Sequence, residues 1–97
     1  MGFEYLIKVR LTYNEKSAIM DLLKQKPSFT GTNTIDSLEY LNFRVESSDP
    51  EWADINIAFN EEGIYVCKSL SPELWLNLQD LHMFLKSLNK PIDVEEL

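Results

Sequence analysis

From Phe3 to Leu11 the chain alternates apolar and polar residues. Phe3, Tyr5, Ile7, Val9 and Leu11 share one side, and Glu4, Leu6, Lys8 and Arg10 the other. That period of two predicts a half-buried strand. The period then changes. Ala18, Ile19, Leu22 and Leu23 recur at helical spacing, with Lys16, Ser17, Asp21, Lys24 and Gln25 outward. Asn14 is a suitable N-cap for this helix, and Thr12 with Glu15 offers a capping box one register earlier. Pro27 ends it, because the residue before a proline is pushed out of the helical region.

Residues 27–36 are rich in Ser, Thr, Gly and Asn and read as a long connection, pinned to the core by Phe29 and Ile35. A second strand follows over 37–46, with Leu41, Phe43 and Val45 inward and Tyr40, Asn42 and Arg44 outward. Ser47-Ser48-Asp49-Pro50 has the composition of a turn. A third strand over 54–60 turns Ile55, Ile57 and Phe59 inward. Asn60-Glu61-Glu62-Gly63 fits a type I turn closed by a glycine at positive φ, so strand four, 64–69, returns antiparallel. Ser71-Pro72-Glu73 has the signature of a helix start, and the last helix is expected to run to about Asn89, before Pro91. The acidic tail, 91–97, carries Ile92, Val94 and Leu97; one reading folds these, or Phe29, over that helix, and an equal alternative leaves its outer side as a dimer seam or docking ridge.

The expected order is β-α-β-β-β-α. It implies an α/β (α+β) two-layer sandwich: a four-stranded, mainly antiparallel sheet, both helices on one face and the other face solvated. The length of 97 residues corresponds to one domain, 1–97.

Composition narrows the chemistry. Nine Lys and Arg against sixteen Asp and Glu give a net charge of −7, which disfavours nucleic acid and anionic lipid and suits a basic protein partner. No apolar stretch reaches the roughly 20 residues of a membrane-crossing helix, no signal-peptide pattern opens the chain, and the expected location is cytoplasmic. The lone Cys67 forms no disulfide within the chain, and with the lone His82 it cannot build a tetrahedral zinc site without carboxylates. Phosphate-binding loops, a nucleophile elbow and calcium loops are all absent from the sequence. The expectation is therefore a non-enzyme without cofactor or metal.

Two surfaces remain. Lys8 and Arg10 on the first strand, Tyr40 and Arg44 on the second and Tyr65 on the fourth are expected to share the outward sheet face, and Tyr and Arg are residue types that carry interface energy. On the last helix, Leu76 and Met83 lie seven apart, opposite the stripe Leu74, Leu78, Leu81, Leu85 and Leu88, and suggest a self-association ridge. The leading expectation is a small acidic protein that binds another protein, most concretely an immunity- or inhibitor-type protein neutralising a basic partner. A homodimeric accessory module is an alternative, and so is a small-ligand or enzymatic domain using the 27–36 loop.

Overall fold

A computed structural model describes residues 3–44, 55–69, 73–76 and 78–97. The expected turn at 47–50, Val45 and the Ser71-Pro72 helix start lie outside the described residues. The strands are β1 (Phe3–Lys8), β2 (Phe29–Ile35), β3 (Leu38–Phe43), β4 (Ile55–Asn60), β5 (Gly63–Lys68) and β6 (Asp93–Glu96); the helices are α1 (Tyr13–Lys24) and α2 (Gln79–Ser87). Among the described residues they form an α+β fold with one open antiparallel sheet in the order β2-β3-β4-β5-β1-β6.

The helix-bearing face holds the core. Phe43, Ile55, Ile57, Ile64, Val66 and Ile7 alternate onto it and join Ile19 and Leu23 of α1 and Leu81 and Leu85 of α2 in one buried cluster. Ala18, expected in that stripe, is exposed. Lys26 and Asp80 pair at 2.9 Å and tie the end of α1 to the start of α2. At the other end of α1 the cap is Thr12, not Asn14. The Glu15 N–H donates to Thr12 Oγ1 (3.2 Å) and the Thr12 N–H to Glu15 Oε1 (2.8 Å), so two otherwise unpaired donors are satisfied at once.

The sheet has six strands where the alternation predicted four. Residues 29–35, expected as a loop, are β2, which pairs with β3 through a two-residue turn. Asp36 (φ 51°) and Ser37 (φ 69°) both take positive φ, as a type I′ hairpin requires. Phe29 is pinned as expected, its ring centroid 5.7 Å from that of Phe43, but Ile35 is half exposed. An edge strand that reaches past the helices has no face to bury, so it carries no apolar alternation to reveal it. The tail also departs from expectation. Residues 93–96 pair with β1 rather than covering α2, and β1 therefore lies inside the sheet, between β5 and β6.

The β4–β5 hairpin forms as expected. Asn60 Oδ1 accepts the N–H groups of Glu62 and Gly63, both at 2.9 Å, and Gly63 takes φ 147°. Gly63 is also pressed against β1: a Cβ there would stand 2.0 Å from the Ile7 carbonyl oxygen.

The last helix is shorter than its leucine pattern suggests. Leu74, Trp75 and Leu76 form a turn, and α2 begins only at Gln79. Lys68 supplies the reason. Its side chain lies on the core side of β5 and is buried, and its ammonium donates to the carbonyls of Glu73, Leu74 (3.3 Å) and Leu76 (2.9 Å). The N–H groups of Leu76 and Leu78 donate to the carbonyls of Glu73 and Trp75, three residues back, so this segment turns more tightly than an α-helix. Burial lowers the Lys68 pKa.

Candidate functional site

The open face of the sheet is built in rows. One row runs Asn33, Tyr40, Ala58, Tyr65, Leu6 and Glu95 from β2 to β6. Its neighbour runs Gly31, Asn42, Asn56, Cys67 and Glu4. At its centre Ala58 has only a methyl group, which leaves room for Tyr40 and Tyr65 to meet above it. Their rings are perpendicular with centroids 6.1 Å apart, and Ala58 is fully buried. Leu6 is also buried, so this face is less solvated than strand alternation alone implies.

Beside the tyrosines runs a chain of amides. Asn56 Nδ2 donates to Asn42 Oδ1 (2.6 Å), and Asn42 Nδ2 donates to Asn33 Oδ1 (2.8 Å). Three strands are thus linked by side chains as well as backbone. On the other flank the Tyr65 hydroxyl donates to the Glu4 carboxylate. Burial, then the hydrogen bond to Glu4, pushes the Tyr65 pKa up, so the ring stays a neutral donor. Burial, then the Glu4 charge, also raises the pKa of Cys67, which keeps it a thiol rather than a nucleophilic thiolate.

Asn33, Ile35, Tyr40, Asn56, Tyr65 and Cys67 line a cleft of about 220 Å³. Ligand pockets span about 300–1,000 Å³. The cleft is therefore smaller than a typical ligand pocket.

The five residues expected to form one patch divide four ways. Tyr40 and Tyr65 touch. Lys8, on the same side but nearer the β4–β5 turn, is neutralised by Glu95 at 2.7 Å, and its pKa is raised by that hydrogen bond and charge, with Asp93 and Glu62 adding to the effect. With three carboxylates around one ammonium, this corner of the face is acidic. Arg10 lies past the end of β1 and lines a groove with Lys90 and Pro91. Arg44 stands at the opposite end of the sheet, its N–H donating to the Ser28 carbonyl (2.8 Å). Along the strands the Lys8 row lies four residues from the Asn42 row, and Arg44 is two residues further on, roughly 20 Å in all.

The proposed self-association ridge is also split. Met83 is 70% exposed on α2, whereas Leu76 sits on the preceding turn, so the two do not share a helical face. His82 stacks flat on Trp75, with ring centroids 4.0 Å apart. The 27–36 segment, considered as a ligand loop, is largely an edge strand.

Sequence reasoning missed Asn33 and Glu4. Asn33 was hidden in the segment read as loop, where the only strand signal was the alternation of Thr-Asn-Thr-Ile before Asp36-Ser37. Among the described residues no group of three or more His, Cys, Asp or Glu is placed to hold a metal. No described helix is long and apolar enough to cross a membrane. No protein-family model matches the chain, and neither a characterised protein nor a solved structure is significantly similar to it.

Proposed function

We propose that this chain acts by binding another protein through the open face of its sheet. The partner is basic, and the most concrete version is an immunity- or inhibitor-type protein that neutralises it. The observation that carries this reading is the Tyr40–Tyr65 pair, fixed over Ala58 and bordered by a hydrogen-bonded amide chain. Tyrosines already ordered in the free protein lose little side-chain entropy when buried by a partner. Glu4, Glu62, Asp93 and Glu95 give this side of the molecule the sign that attracts a basic surface and speeds its approach. Within the reading, Tyr40 and Tyr65 are the anchors, Asn42 and Asn56 supply polar contacts, and the carboxylates around Lys8 steer.

The test is the affinity of the captured partner for the wild type and for Tyr40→Ala and Tyr65→Ala, measured by calorimetry. An anchor of this kind is worth about 2 kcal/mol or more, close to thirty-fold in Kd. Affinities unchanged in variants that melt with the wild type would remove the sheet face from the account.

A further inference from the structure

The two edges of the sheet are chemically unlike. β6 carries Asp93, Glu95 and Glu96 among its four residues, so its edge repels a second acidic strand. β2 reads Phe-Thr-Gly-Thr-Asn-Thr-Ile and carries no charge, in a chain with 25 charged residues, nine basic and sixteen acidic. No described residue pairs with its outer side.

In a two-residue hairpin the residues flanking the turn, here Ile35 and Leu38, exchange both ladder bonds. Alternation then turns the polar backbone of Asn33 and Gly31 toward β3 and aims the N–H and C=O groups of Thr32 and Thr34 away from the sheet. A register shift between Phe29 and Gly31 interrupts the strand at its start, so the regular stretch is 31–35, centred on Asn33. Thr32, Asn33 and Thr34 are all exposed among the described residues.

We propose that the β2 edge pairs antiparallel with the β2 edge of a second copy of this chain, about a two-fold axis at Asn33. This register fits itself. It sets Thr32 and Thr34 opposite the second copy's Thr34 and Thr32, so the outward N–H and C=O groups of each meet their complements. It sets Ile35, half exposed on the open face, opposite the second copy's Gly31 in a non-hydrogen-bonded pair, where Cα atoms approach to about 4.5 Å. Among the described residues, chain neighbours aside, no atom lies within 4 Å of where a Cβ on Gly31 would stand, which leaves room for the isoleucine. The exchange occurs twice, as an isologous contact demands.

Charge selects this occupant. Each copy carries −7, and most of the molecular surface would set carboxylates against carboxylates. Along β2 none meet: the nearest acid in sequence, Asp36, falls opposite the second copy's Thr30, at opposite ends of the joint ladder. A basic segment would find no acid within β2 to pair with. The dimer joins the two open faces on one side of a continuous sheet and leaves Tyr40 and Tyr65 of both copies uncovered.

The experiment is sedimentation equilibrium on the full chain as wild type, Thr34→Pro and Ile35→Glu, with thermal melts of each at low concentration. Proline at position 34 removes an N–H that points away from β3, so the protomer keeps its own ladder. The expected result is a wild-type dimer and two monomeric variants whose protomers remain folded. In a Cys67→Ser background, Asn33→Cys should form an inter-protomer disulfide, because the symmetric pair brings the two Cα atoms within bridging range. A wild type that stays monomeric at the highest reachable concentration would overturn the proposal. So would an open-ended series of oligomers, or a dimer that both variants retain and Met83→Lys dissolves.

Discussion

The two faces of the sheet are made by the same strands, one residue out of step, and they do different work. On the helix side, Ile7, Ile57, Ile64, Val66 and Phe43 are fully buried and lock into both helices. On the open side their chain neighbours are Leu6, Ala58, Tyr65, Cys67 and Asn42, whose polar groups find partners within the face itself. A truncation on the first face leaves a cavity; on the second, the buried Leu6 and Ala58 aside, it leaves groups that water can reach. One face therefore determines whether the chain folds, while the other can change with small effects on stability. That separation is what a recognition surface requires.

The strongest challenge to this division is Gly63→Ala, which attacks the frame shared by both faces. An added Cβ collides with the Ile7 carbonyl at a positive φ that favours glycine. The expected loss exceeds about 4 kcal/mol, or the chain fails to fold, read from urea unfolding. Phe43→Ala, on the helix side, should cost about 3–5 kcal/mol by the same measurement. Lys68→Met keeps the side-chain volume but removes the cation from three carbonyls. It should cost about 1.5–3 kcal/mol and increase hydrogen exchange in the 73–76 turn. On the open side Asn42→Ala removes two side-chain hydrogen bonds at partly exposed positions, and about 1 kcal/mol is expected. Tyr40→Ala gives up an edge-on ring contact, about 0.5–1.5 kcal/mol, a small change in melting beside its expected effect on binding.

The smallest effect is a pH dependence. The Tyr65 hydroxyl has its pKa raised above the ordinary 10.0, so folding favours the protonated ring. Its stabilising contribution is complete below pH 10.0 and is lost as the pH rises through the elevated value. Tyr65→Phe should therefore lower stability at neutral pH, where the hydrogen bond to Glu4 is lost, and flatten the alkaline fall. An unaltered alkaline slope would place the effect elsewhere, with Tyr5, which burial also raises, as the first alternative.

The sequence was readable where burial imposed a period. Strands β1, β3, β4 and β5 alternate because one side of each faces the helices, and Asn60 to Gly63 carries its turn in its residue types. The edge strands left no such trace. Nothing in β2 is buried deeply enough to require alternation, and β6 has a single apolar residue, Val94, among three acids. The α2 boundary was hidden for another reason. Leu74, Leu78, Leu81 and Leu85 are all buried, yet the first lies in a turn organised by Lys68 from a different element. Of the site, the tyrosines were legible as outward strand residues. Their meeting over Ala58 depends on the register of three strands, and the neutralisation of Lys8 depends on a strand the pattern did not show.

The open face is proposed to bind a protein. Its most direct test compares quantitative affinity capture from the native source by the wild type and by the double variant Tyr40→Ala/Tyr65→Ala, after equal folding is established by near-ultraviolet circular dichroism. The expected result is a basic protein held stoichiometrically by the wild type, released as salt is raised, and lost by the double variant. The same partner retained by both proteins would contradict it.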